Sequence, residues 1–385
     1  MNSLTKRKPA KSMLCKRYRQ AAAASLFAAG IALSVHVHAE QHGEGLRQVT
    51  VDQDGTVHIP ALVVPPSVYM SEQAKKAYAD LRLHWPRDVQ FSNDIAQTRK
   101  AMDDHWLRRY LERAKAVYAV AVEEKIIAGV RTDVVTPQGG VGAANEDRVL
   151  INLHGGGFFL GAGTLQKIEA IPIAATAKIK VISIDFRQAP EYRFPAASED
   201  VAAVYKELLK QYASQNIGIY GTSTGGTLAA MVLPWFEKER LPRPGAVGIF
   251  SAPDGPSVSG GDLLYLATPL NALWGSRAVA PSPYKQAYAS AYFAEADLKD
   301  PLVSPLLFRG VLAKFPPTLI ITGTRDRFAS GLIHGYRQLL NAGAEAQLEV
   351  WEGMWHGSNL DVDLPESKQM YEVAAKFFTA HLGKH

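Results

Sequence analysis

Cysteine is almost absent: the 385 residues contain one, Cys15. It stands before the first apolar run, so beyond residue 39 the chain has no thiol. A disulfide, a thiolate nucleophile and a cysteine-bound metal are thereby excluded there. The first 39 residues in turn lack any Asp or Glu, while Lys6, Arg7, Lys8, Lys11, Lys16, Arg17 and Arg19 make them strongly basic. No internal repeat or low-complexity tract follows. No lysine stands in Walker spacing after a glycine loop, and no G-x-G-x-x-G occurs, so the sequence offers no recognised phosphate cradle.

A basic stretch, then the apolar run 21–37, then Val37-His38-Ala39 before Glu40, is the layout of a secretory signal peptide. Cleavage after Ala39 and a secreted or periplasmic product are expected. The run is short for a bilayer span, is rich in alanine and contains Gly30, which argues against a retained anchor. The whole chain carries a formal net charge of +5. Without its seven N-terminal basic residues, it holds 35 Lys+Arg against 37 Asp+Glu, a net charge near −2. The basic balance therefore gives no ground for a nucleic-acid partner.

What is present is enough apolar sequence, 47%, for one large core. Residues 40–67 read as a polar, proline-bearing lead-in. Ser71 is placed to cap a helix through Arg82. A second helical pattern over 94–125 sets Trp106, Leu107, Tyr110, Leu111, Ala114 and Val117 three and four apart. No strand is expected before Ile126. From there, short β-branched runs at 130–135, 149–153, 181–185, 217–220, 246–251, 318–322 and 348–351 alternate with helical segments such as 197–211, 227–240 and 330–342. This pattern predicts an α/β fold with a mostly parallel sheet covered on both faces. The stretch 252–298, rich in Pro, Ser, Tyr and Trp, is too long for a connection and reads as an insertion over the sheet's C-terminal edge, where ligands of such folds bind.

Gly221-Thr222-Ser223-Thr224-Gly225-Gly226 falls between the 217–220 strand and the following helix. A sharp strand-to-helix turn lifts the Ser223 hydroxyl above the sheet, and glycines two before and two after leave it room. By itself the pattern also fits a plain glycine-rich turn. His154-Gly155-Gly156-Gly157-Phe158, about seventy residues upstream, adds consecutive amides able to face a developing oxyanion. Gly155, Gly156 and Thr224 are the donors expected from spacing, with His154 orienting their loop. A serine nucleophile also needs a base and an orienting carboxylate. His356 follows the last strand, and Asp326 follows the 318–322 strand, 103 residues after Ser223. The other histidines fall in the lead-in, in helical patterns or at the termini. Asp326 also fits a helix cap or an ion pair with Arg325 or Arg327.

Together these segments, with Asp185-Phe186-Arg187-Gln188-Ala189-Pro190-Glu191 and Phe194-Pro195-Ala196-Ala197, resemble the bacterial hormone-sensitive-lipase-like esterases of the α/β-hydrolase fold. The likeness runs from about Ile126 to the C-terminus and more loosely before it. Thr222 and Thr224 replace the Asp and Ala usual beside the nucleophile. Phe186 and Gln188 replace a Tyr and an apolar residue. The resemblance implies a serine carboxylesterase acting on short- to medium-chain esters, with catalytic Ser223, Asp326 and His356 and no metal or organic cofactor. It implies a cap made by residues 71–125 and 252–298, with Tyr265, Trp274, Tyr284, Tyr288, Tyr292 and Phe293 lining an acyl pocket or packing in the core. Asp185 and Arg187 are expected to form an ion pair. The expected partner is a small-molecule ester, with neither nucleic acid nor stable membrane insertion after cleavage; a homodimer stays open. So do an acyltransferase, a polysaccharide deacetylase using the same triad, and a silent binding protein of the same fold.

Overall fold

The computed structural model describes residues 49–59, 62–84, 92–253, 255, 260–270 and 290–383. The expected signal peptide, part of the lead-in and much of the insertion lie outside them. The chain falls into two units, residues 1–65 and 66–385. In the first, a two-residue antiparallel ladder joins β1 (Thr50–Val51) to β2 (Val57–His58).

The second unit is built on eight strands. In chain order these are β3 (Val120–Ile127), β4 (Val130–Pro137), β5 (Val149–Leu153), β6 (Lys180–Ile184), β7 (Ile217–Thr222), β8 (Ala246–Phe250), β9 (Thr318–Arg325) and β10 (Ala346–Trp355). Across the sheet they run β10-β9-β8-β7-β5-β6-β4-β3. The β3–β4 and β4–β6 pairs are antiparallel, and all others are parallel. Every residue of β5, β7 and β8 is buried, as expected for central strands covered on both faces. Helices α4 (Leu165–Ala177), α5 (Ala196–Leu208), α6 (Thr224–Lys238), α9 (Ala329–Ala342) and α10 (Pro365–His381) flank them, and the short α7 (Asp262–Ala267) and α8 (Arg309–Leu312) fall between α6 and α9 in the chain.

The N-terminal helices follow the sequence pattern only in part. Helix α1 (Glu72–His84) is capped by Ser71, whose Oγ accepts from the Ala74 N–H at 3.0 Å, a bond worth about 1 kcal/mol. Ser71 also donates through its N–H and hydroxyl to Glu366 on α10, which docks the helix start. Helix α2 (Ile95–Met102), capped by Asp94, passes through a π turn (Asp103–Leu107) into α3 (Arg108–Val117).

The expected helix to residue 125 therefore stops at Val117, and 120–127 is a strand, contrary to the expectation of none before Ile126. Val120 and Val122 alternate with more exposed neighbours, as an edge strand with one partner requires. The two-residue turn Ala128-Gly129, both with positive φ, pairs Ile127 with Val130. The expected Asp185–Arg187 pair does not form. Arg187 Nε instead meets Asp200 at 2.8 Å, and Asp185 faces Arg131 at 3.7 Å.

Candidate active site

Four loops leave the same C-terminal edge of the sheet, and each carries one part of the site. After β7 the chain turns sharply into α6, and Ser223 at the corner has φ 57° and ψ −128°. That strained backbone is tolerated because its surroundings demand glycine. A Cβ on Gly221 would lie 2.3 Å from the Leu153 carbonyl oxygen, and one on Gly225 would lie 1.9 Å from it. The Ser223 N–H is held by the Phe250 carbonyl at 2.8 Å. The N-terminus of α6 lies directly behind the hydroxyl and favours negative charge there.

His356 arrives from β10, whose pairing with β9 carries two extra residues between Trp351 and Trp355. Gly353, with φ 77°, takes up the kink, and its N–H donates to Thr324 Oγ1 at 2.8 Å. Such bulges re-aim the chain at a sheet's rim. The His356 Nε2 stands 3.1 Å from Ser223 Oγ, and Nδ1 stands 3.2 Å from Asp326 Oδ1. The edge of the ring packs on Phe328 at 5.1 Å.

Asp326, after β9, is wholly buried and also accepts from the Phe328 N–H at 3.1 Å. Burial alone would raise its carboxyl. His356, through charge and hydrogen bond, the Phe328 N–H and the Ser251 side chain outweigh that and hold it below the ordinary carboxylate value. It pairs with neither Arg325 nor Arg327. The three residues predicted from the motifs are thus brought together in hydrogen-bond sequence.

The glycine loop after β5 corrects one expectation. The Gly155 N–H donates to Glu169 Oε1 at 2.8 Å, deep in the protein, and so is not presented to the pocket. Gly157 N–H donates to the Thr224 hydroxyl at 2.9 Å. The N–H groups of Gly156 and Thr224 meet no acceptor among the described residues. Gly156 has φ 109°, and a Cβ there would strike the Leu160 carbonyl oxygen at 2.2 Å. Gly155 turns inward because a buried carboxyl fourteen residues later accepts from it, and spacing alone did not reveal this.

His154, fully buried, sits 2.7 Å by Nδ1 from the Gly155 carbonyl and stacks on Phe186 at 4.5 Å. Burial pushes its imidazole down to about 4, so the ring is neutral and its Nδ1–H donates to that carbonyl. This arrangement fixes the loop's first peptide.

A cavity of about 930 Å³ opens over Ser223. Met102, Trp106 and Leu107, from α2 and the π turn, form part of its wall, with Phe159, Phe293 and Phe328. The N-terminal helices therefore reach the site as a cap would. Of the aromatics expected there, Phe293 lines the cavity. Tyr292 is core, stacked on Phe158 at 4.4 Å, and Tyr265 is exposed. Trp274, Tyr284 and Tyr288 lie outside the described residues. Among the described residues no His, Cys, Asp and Glu cluster fits a metal, and no helix is long and apolar enough to cross a membrane.

Residues 150–360 match the family model of the alpha/beta hydrolase fold. Among solved structures, esterase E25 is 31% identical, with a TM-score of 0.73 over 84% of this chain and 98% of that one. EstE5, soaked with p-nitrophenyl butyrate, is 25% identical, with a TM-score of 0.69 over 82% of this chain and all of that one. An acetyl-hydrolase of Streptomyces hygroscopicus is 28% identical over 63% of this chain and 79% of its own length. An ethyl acetate hydrolase of Pseudomonas putida is 30% identical over 54% and 64%. The chain belongs to the α/β-hydrolase fold family. Within it, these esterase and acetyl-hydrolase relatives make it a carboxylic ester hydrolase.

Proposed function

We propose that the enzyme hydrolyses short- to medium-chain carboxylic esters by two-step acyl transfer through Ser223. The observation that carries this reading is the 3.1 Å approach of His356 Nε2 to Ser223 Oγ, with Asp326 behind the ring. His356 takes the Ser223 proton as the serine oxygen attacks the ester carbonyl. The N–H groups of Gly156 and Thr224 receive the oxyanion, and the imidazolium returns its proton to the leaving alcohol. Water, deprotonated by the same imidazole, then attacks the acyl-enzyme and releases the acid. Asp326 keeps Nδ1 protonated throughout.

Two relatives named for acetyl or acetate hydrolysis support the reading of a short acyl group. The mostly apolar cavity lies within the size range of small-molecule sites. Ser223→Ala should remain folded and lose turnover of p-nitrophenyl esters by about 10⁴-fold or more; undiminished turnover would refute the assignment. Across acyl lengths, kcat/KM should peak at or below hexanoate, and a peak at dodecanoate or longer would refute the chain-length part. Export is a separate proposal, resting on the basic and apolar N-terminal segment. A mature protein beginning at Glu40 would bear it out, and one retaining Met1 in the cytoplasm would not.

A further inference from the structure

Glu169 is the one charged residue in the buried stretch 168–174 of α4, and it is 5% exposed. A carboxyl costs stability there that an apolar residue would not. Its contacts are all with the catalytic loops or the strands that feed them. Oε1 accepts from the Gly155 N–H at 2.8 Å, and Oε2 accepts from Asn152 Nδ2 on β5 at 3.3 Å. The N–H and hydroxyl of Thr222, the residue before the nucleophile, also favour the charged form of Glu169. The Thr222 hydroxyl in turn accepts from Asn359 Nδ2 at 3.0 Å, three residues beyond His356. One side chain therefore ties the glycine loop to β5 and lies beside the residue that precedes the nucleophile.

We propose that Glu169 is a positioning residue for the reaction. By holding the Gly155 amide inward, it sets the next peptide plane so that the Gly156 N–H faces the oxyanion, and it fixes that donor's distance to Ser223. The inference rests on the acyl-transfer reading given above. The loop and the nucleophile turn lie close enough for the effect. A Cβ on Gly155 would sit 3.3 Å from the Ser223 Cβ and 3.0 Å from the Thr222 carbonyl oxygen. Oxyanion donors act only when already placed for the transition state, and a shift of about 1 Å costs on the order of a hundred-fold in rate. Burial pushes the Glu169 carboxyl up to about 8, against the pull of its donors. At neutral pH it is mostly protonated, so no anion beneath the loop opposes the oxyanion. A neutral amide is accordingly a fair replacement.

The test compares Glu169→Leu with Glu169→Gln, on p-nitrophenyl acetate at pH 7, with melting temperature measured alongside. The leucine variant, folded, should lose about ten-fold or more in kcat with KM within about two-fold, because ground-state binding does not use the oxyanion donors. The glutamine variant, whose amide oxygen can still accept from Gly155, should return kcat to within about three-fold of the wild type. Unchanged kcat in the folded leucine variant would overturn the proposal. So would equal losses in the two variants, or a loss expressed in KM alone. If the leucine variant does not fold, Glu169→Asp, one methylene too short to reach the Gly155 amide, takes its place with the same expectation. Wild-type kcat in that variant overturns the proposal. Ser223→Ala, run in parallel, separates the two readings. Turnover surviving there refutes the nucleophile, whereas its loss beside fully active Glu169 variants refutes only the positioning role.

Discussion

The imidazole of His356 reaches Ser223 across 133 residues of sequence at 3.1 Å, and on its other side it meets Asp326 at 3.2 Å. Two strands and one kinked ladder make that meeting possible. β7 delivers the serine on a strained corner, and the two extra residues of β10 turn the histidine over it.

The carboxylate's part is orientation, so Asp326→Asn should leave the protein folded while kcat falls by about 10³–10⁴-fold. An amide nitrogen facing Nδ1 would force the wrong tautomer. Steady-state kinetics at pH 7 with a circular dichroism control checks this. A loss below ten-fold would mean that Asp326 does not orient the base.

Gly225 has no room for a side chain, since a Cβ there meets the Leu153 carbonyl carbon and oxygen and the His154 carbonyl oxygen, all of them backbone. Gly225→Ala should cost at least about 3 kcal/mol, the upper end of ordinary overpacking, because none of these atoms can rotate away. Gly163→Ala, where nothing lies within 4 Å and only a positive φ is strained, should cost about 1–2 kcal/mol. Urea unfolding of the two variants compares them, and equal costs would contradict the steric account.

Much of this is legible in the sequence. The strands expected at 149–153, 217–220 and 246–251 are continuous apolar or small-residue runs because both faces are covered. The serine, the acid and the histidine stand after strands in chain order. The strand Val120–Ile127 was not legible. Glu123, Glu124 and Lys125 are all exposed, so alternation fades there, its one neighbour is set by a hairpin, and the helical spacing before it continues into it. The inward turn of Gly155 was equally hidden, because it depends on a carboxyl fourteen residues later. Glu169 did leave a signal: it is a lone acid in an otherwise apolar helical stretch, and buried acids are rare unless paired.

Two buried groups lose their stabilising contributions in acid. The folded His154 imidazole lies at about 4, below its ordinary 6.5. Its neutral form therefore contributes stability that is complete above pH 6.5 and is lost as pH falls toward 4. Asp326, held below 3.8, contributes stability present above that value and lost as pH falls further, through its own folded pKa. Glu169, raised to about 8, contributes the opposite slope over the same interval, so the comparison is between proteins: lowering pH from 6.5 to 4 should cost the wild type more in melting temperature than His154→Gln, whose amide does not titrate. Identical slopes in the two proteins would show that His154 is not the group responsible.

The nucleophile can be identified by covalent capture. Purified enzyme treated with diethyl p-nitrophenyl phosphate, then digested and analysed by mass spectrometry, should carry one diethylphosphoryl group, on the peptide containing Ser223. Remaining activity should fall in step with its occupancy, and Ser223→Ala should take up none. Inactivation with the label on another residue, or full activity with Ser223 fully labelled, would contradict the account.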